Sequence, residues 1–84
     1  MLKLLYFARL RENLGVAAEQ IALPAGVVDV ETLARHLRAR GDAWARELAP
    51  GRPIRAAVNQ SMAREETRIR DGDEVAFFPP VTGG

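Results

Sequence analysis

The two runs richest in large apolar side chains lie at opposite ends of this chain. Met1–Ala8 reads Met-Leu-Lys-Leu-Leu-Tyr-Phe-Ala, and Val75–Phe78 reads Val-Ala-Phe-Phe. Both have the length and aromatic or aliphatic content of buried strands. A single small core has to take them both, so the ends of the chain are expected side by side in the middle of a sheet. Between them lies one strongly amphipathic segment. Val30, Leu33, Ala34 and Leu37 follow the i, i+3, i+4, i+7 spacing of a helix face. Asp29 stands where an N-cap carboxylate would accept a bond from the first turn, and Gly41 is the expected stop.

The remaining elements are shorter. Leu10 and Leu14 are four apart and permit one helical turn before Gly15. Ala18–Leu23 reads as a second strand that Pro24-Ala-Gly26 ends. Asp42 is the expected cap of a short helix, Ala43–Leu48, anchored by the Trp44 and Leu48 pair. Pro50-Gly-Arg-Pro53 is a turn cluster, and Ile54–Asn59 a third strand. The polar stretch Ser61–Thr67 leaves room for a short strand near Met62. Ile69 and the turn Arg70–Asp73 then lead into the last strand. The order is strand, strand, helix, strand, short strand, strand. It predicts an α+β domain with a mixed four- to five-stranded sheet packed on one main helix, plus a short second helix. That order suits a β-grasp, the ubiquitin-like architecture, over residues 1–78, with 79–84 as a separate tail.

One helix covers one face of a sheet, so alternation decides what the other face shows. Leu2, Leu4 and Tyr6 share a side while Leu5 and Phe7 take the opposite one, and Phe78 opposes Val75 and Phe77. Phe7, Phe78 and Met62 are therefore expected on the uncovered face, as a partner-binding patch. The alternative is that twist or loops bury them.

The tail carries the chemistry. Pro79-Pro80 cannot continue a ladder, because proline lacks the N–H and fixes φ. Val81, Thr82, Gly83 and Gly84 can then reach roughly 13 Å further. Two glycines without side chains fit a narrow channel, and a terminal carboxylate on Gly84 would be ionised at neutral pH. Adenylation would make one of its oxygens a leaving group, and a partner's persulfide could then leave a thiocarboxylate. An idle glycine-rich end is the competing reading.

Composition narrows the field. In 84 residues there is no cysteine and one histidine, His36, which reads as a residue at the edge of the core stripe. Disulfides, a thiolate nucleophile and a cysteine metal site are excluded, and no metal site is expected. A net charge of +1 argues against a nucleic-acid binder. No run approaches the roughly 20 apolar residues of a membrane span, and the N-terminus does not read as a signal peptide. A cytoplasmic protein is expected. No phosphate-binding glycine loop appears, and Glu65-Glu66 and Asp71/Asp73 read as solvated turn charges. Catalytic groups would come from partners.

Three segments carry a resemblance: Leu4-Leu-Tyr-Phe-Ala-Arg-Leu-Arg11, Ala57-Val-Asn-Gln60 and Asp71-Gly-Asp-Glu-Val-Ala-Phe-Phe-Pro-Pro-Val-Thr-Gly-Gly84. In these the chain resembles the small, sulfur-carrier subunit of molybdopterin synthase, a ubiquitin-like family of molybdenum cofactor biosynthesis. The resemblance implies that Gly84 is adenylated by an E1-like enzyme, which uses the ATP, and becomes a thiocarboxylate. It implies sulfur donation to cyclic pyranopterin monophosphate in the large synthase subunit, within a heterotetramer, with no cofactor bound by this chain. Phe7, Met62 and Phe78 would form the docking surface. Ala63–Arg70 is more charged than the family pattern. The rival readings are a thiamine-pathway sulfur carrier, a modifier conjugated to lysines, and an interaction module with an inert tail.

Overall fold

In the computed structural model of the chain, residues 1–80 are described, and the tail positions Val81, Thr82, Gly83 and Gly84 lie outside them. The described elements are β1 (Leu2–Tyr6), α1 (Ala8–Leu14), β2 (Ala18–Ile21), α2 (Val30–Arg38), α3 (Asp42–Glu47), β3 (Arg55–Val58), β4 (Ser61–Ala63) and β5 (Glu74–Phe78). They form a five-stranded sheet in the order β2-β1-β5-β3-β4. The two terminal strands are the central pair, as their apolar content demands. They run parallel, Leu4 opposite Val75 and Tyr6 opposite Phe77, which obliges the rest of the chain to cross over between them. The other three pairings are antiparallel.

The core lies between this sheet and α2. Leu2, Leu4, Tyr6, Val75 and Phe77 point to the helix side and are at most 2% exposed. Val30, Leu33 and Leu37 of α2 meet them, and Leu10, Leu48 and Ile69 close the margins. Truncating one of the large members, Phe77 for example, would cost about 3–5 kcal/mol in lost transfer energy and cavity.

Asp29 caps α2 as its sequence position predicts, and Thr32 completes a reciprocal box. The Thr32 N–H donates to Asp29 Oδ1 at 2.9 Å, and the Asp29 N–H donates to Thr32 Oγ1 at 3.1 Å. The Thr32 N–H, and then the Thr32 hydroxyl, which also donates to Asp29 Oδ1 at 2.7 Å, hold the Asp29 carboxyl below its ordinary range. The next two orphan donors of the helix find backbone partners. The Val30 N–H donates to the Thr67 carbonyl at 3.1 Å and the Glu31 N–H to the Glu65 carbonyl at 2.9 Å. This is why the charged stretch after β4 is well placed: its main chain docks on the helix end while its charges face water.

Two local readings are corrected. The segment after β1 is a seven-residue helix rather than one turn, closed by Gly15 at φ +76, whose N–H donates to the Arg11 carbonyl at 3.0 Å. Asp42 is not a cap. Gly41 (φ +83) occupies the N-cap position, Asp42 is already the first helical residue at φ +49, and its side chain makes no capping bond. The reversal between α2 and α3 is so short that both residues take left-handed backbone, and α2 itself ends earlier, with Ala39 as its C-cap.

Candidate functional site

The face of the sheet opposite α2 is built by register. Ala18 pairs with Leu5, Leu5 with Ala76, Ala76 with Ala57, and Ala57 with Met62. Paired residues share a side of the sheet, so one apolar row crosses all five strands. Its centre is shallow because alanine stands at two adjacent positions. Met62, on the edge strand, is 67% exposed. The row on one side is polar, with Lys3 paired to both Gln20 and Glu74. On the other side Phe78 pairs with Arg55.

Phe7 completes that aromatic end. Its backbone is extended (φ −124, ψ 156), so its side chain continues the alternation of β1, and its N–H donates to the Phe77 carbonyl at 3.2 Å. It is 46% exposed, while Phe78 is half-buried. The three residues predicted for the uncovered face are therefore all on it. They are not one compact cluster: Phe7 and Phe78 are at the end where β5 finishes, and Met62 is at the edge. The alanine row joins them. Alternation already places Leu5 on this side; Ala57 and Ala76 give no signal as surface contributors until the register is known, because their side chains are small.

β5 ends at Phe78, and Pro79-Pro80 follow without strand pairing, as expected for residues that cannot donate to a ladder. The hairpin that supports β5 turns on Asn59-Gln60, both left-handed (φ +49 and +70), the backbone of a two-residue hairpin turn. Asn59 also ties the hairpin to the start of β5. Its N–H donates to the Glu74 carbonyl at 2.8 Å, its Oδ1 accepts from the Glu74 N–H at 3.0 Å, and its Nδ2 donates to Asp73 Oδ1 at 3.0 Å. With a further bond from the Arg70 N–H, this keeps the Asp73 carboxyl below its usual range. Asp71 is held low in the same way by the N-terminal ammonium. Both acids are structural turn residues.

On the helix side a polar network clamps the outer strand. Tyr6 Oη donates to Glu19 Oε2 at 2.9 Å, and Arg40 donates to both Glu19 oxygens at 2.8 and 3.1 Å. The Arg40 guanidinium lies 4.4 Å from the centre of the Trp44 ring, which meets Tyr6 edge-on at 5.3 Å. Hydrogen bonds from Arg40, then from Tyr6, outweigh burial and hold the Glu19 carboxyl below its usual value. Burial first, and then the Glu19 carboxylate, push the Tyr6 hydroxyl far above its own. A depressed folded value means that the stabilisation from Glu19 is present above the unfolded pKa, about 4.3, and is lost as the pH falls through the folded value. Glu19→Gln is therefore expected to cost about 1 kcal/mol near pH 7. Urea titrations should show that gap closing towards about pH 2–3, below the carboxylate range. A gap independent of pH would remove this role for Glu19.

Among the described residues, no group of three His, Cys, Asp or Glu side chains could hold a metal ion, and no helix is long and apolar enough to cross a membrane. His36 is exposed on α2. What the described site offers is a surface with an exit, without a nucleophile or an acid–base pair placed for chemistry.

Comparison with known proteins agrees with this architecture. Residues 4–84 match the ThiS family. The molybdopterin synthase sulfur carrier subunit of Escherichia coli (strain K12) is 48% identical over 84 residues, covering all of both chains. Among solved structures, the molybdopterin converting factor subunit 1 from Pyrococcus furiosus superposes with a TM-score of 0.75 at 31% identity, over 95% of this chain and 97% of that one. A protein–protein complex of subunits 1 and 2 of the molybdopterin-converting factor from Helicobacter pylori 26695 gives a TM-score of 0.64 at 21% identity, over 99% and 97%. At that identity the last likeness speaks to the fold.

Proposed function

The chain belongs to the ThiS family, and we propose that it is the sulfur carrier of a molybdopterin synthase, working through a thiocarboxylate on Gly84. The observation that carries the proposal is the continuity of the helix-free face with the exit of the chain. Phe78 is the last strand residue, it lies on that face, and Pro79-Pro80 follow it directly. Docking the face on a partner aims the four following residues into whatever lies beyond the interface. The full-length match to a sulfur carrier subunit supports the assignment of that partner as the large synthase subunit.

The chemistry is then as follows. A Gly84 carboxylate oxygen attacks the α-phosphorus of ATP on an E1-like partner, pyrophosphate leaves, and an acyl-adenylate forms. The terminal sulfur of a donor persulfide attacks the carbonyl carbon, and AMP leaves. A thiol then cleaves the remaining S–S bond, releasing the thiocarboxylate and a disulfide. The thiocarboxylate is a soft nucleophile on an arm, suited to deliver sulfur to cyclic pyranopterin monophosphate in the active site of the large subunit. This chain supplies a docking surface, reach and the reacting carbonyl; the adenylating and acid–base groups belong to the partners.

The test is intact mass after incubation with ATP, the activating enzyme and a sulfur donor. A gain of about 16 Da, oxygen replaced by sulfur at an acyl carbon, is expected, and it should disappear when Gly84 is removed. An unchanged mass with an activating system shown to be competent on another carrier would overturn the proposal. Delivery to a thiazole synthase in place of the molybdopterin enzyme would keep the chemistry and reassign the pathway.

A further inference from the structure

We infer that the end of the sheet from which the tail departs is a cationic collar that docks against carboxylates around the tail channel of the large synthase subunit; this rests on the sulfur-carrier reading above. The charge is concentrated there. Positions 8–14 and 46–55 hold five arginines against two glutamates in a chain whose net charge is +1, so the remainder is net negative. These segments meet at one end of β5. α1 leaves β1 beside the C-terminal end of the parallel β5, and the chain enters β3 at Arg55, the partner of Phe78.

Three guanidiniums matter most. Arg55 is exposed, next to Phe78, and enters no ion pair among the described residues. Arg52 and Arg9 share one carboxylate. Arg52 Nη2 lies 3.4 Å from Glu47 Oε2 and Arg9 Nε lies 3.9 Å from Glu47 Oε1. Glu47 is 5% exposed, and its Oε1 is buried without a hydrogen-bond partner. A buried carboxylate left half-satisfied is costly in a domain this small. It is accounted for here by the two cations it holds: one negative charge beneath two half-exposed positive ones leaves a surplus that faces solvent. At the opposite end of β5 the acids are answered locally, Asp71 by the N-terminal ammonium, Glu74 by Lys3 and Asp73 by Asn59.

An apolar centre with a charged rim is the usual anatomy of a specific interface, and arginine is favoured in it. A rim charge acts on the approach more than on the final grip. Surplus positive charge at one end of the molecule turns that end, with the tail, towards an acidic mouth before contact. The partner surface that fits is one with Asp or Glu side chains around the opening into which the tail goes.

The experiment is stopped-flow association of the full chain with the large subunit between about 0.05 and 0.5 M salt, where screening goes from weak to strong. The wild-type association rate is expected to fall more than tenfold across that range. Arg55→Glu should associate about tenfold more slowly at low salt, with a dissociation rate changed less than twofold, and the difference should vanish at high salt. Arg52→Gln should show the same pattern at smaller amplitude. The wild-type salt series stands even if a variant folds poorly. Tight binding with a rate indifferent to salt and to Arg55→Glu would overturn the collar and leave the carrier reading standing. Failure of the wild-type chain to bind the large subunit at any salt would overturn both.

Discussion

A single alanine added after Gly84 is expected to lower sulfur transfer by at least about a thousandfold and to leave the melting temperature where it was. The extra residue moves the terminal carboxylate by about 3.5 Å. Acyl activation needs reacting atoms about 3–3.5 Å apart in line, and an error of 1 Å is enough to cost about a hundredfold. The carbonyl of Gly84 would then be an amide, with no oxygen to activate, and the new terminal residue would bring a methyl group to a position where the proposed partner channel meets only glycine. The core is not expected to respond, because among the described residues the last deeply buried side chain is Phe77. The measurement is a pair of rates, thiocarboxylate formation by mass and product formation with the large subunit, beside a thermal melt. Normal turnover by the extended chain would dispose of the terminal carboxylate as the sulfur-bearing group. A lower melting temperature would show instead that the chain end is part of the folded body.

The parts of this fold that were legible in the sequence are those in which a local period coincides with burial. β1, β5 and α2 were readable because leucines, valines and aromatics recur every second residue, or every third and fourth, and the structure buries those same positions. The separation of Phe7 and Phe78 from Tyr6 and Phe77 follows from the same alternation. Features set by register or by distant pairing were not legible. The Ala18-Leu5-Ala76-Ala57-Met62 row exists only once four strand pairings are fixed. Glu19 and Arg40 are 21 residues apart, and neither position marks the other. Turn chemistry accounts for the rest. Ala8 enters α1 at φ +54, a conformation that costs an L-residue about 1–2 kcal/mol, so alanine there gives no sign of the turn. The strain sits where the chain bends from Phe7 into α1, at the edge of the helix-free face. Asp42 misled for the opposite reason: a good capping residue was placed one position too late to cap.

Phe78→Asp is expected to weaken binding of the large subunit by about a hundred- to a thousandfold while costing no more than about 1.5 kcal/mol of stability. Phe78 is half-buried and on the helix-free face, whereas its neighbour Phe77 is 2% exposed and in the core. A central aromatic anchor is worth about 2–4 kcal/mol in binding, and an unpaired carboxylate pressed into an apolar contact adds a desolvation cost. The folded monomer pays little, because a carboxylate at that position stays within reach of water and of Arg55, its cross-strand partner. Phe78→Ala separates the two contributions: it removes the ring without adding charge, and a loss of about thirtyfold is expected from it. Phe77→Ala is the contrasting case, with about 3–5 kcal/mol lost from stability and partner affinity reduced only through the unfolded fraction. Titration calorimetry beside urea unfolding measures both quantities on each variant. If Phe78→Asp lowers the unfolding midpoint as far as Phe77→Ala does and leaves affinity intact, then Phe78 is core and the docking face is elsewhere. If affinity falls and the midpoint holds, the residue that ends the last strand is also the one that grips the partner, immediately before Pro79-Pro80.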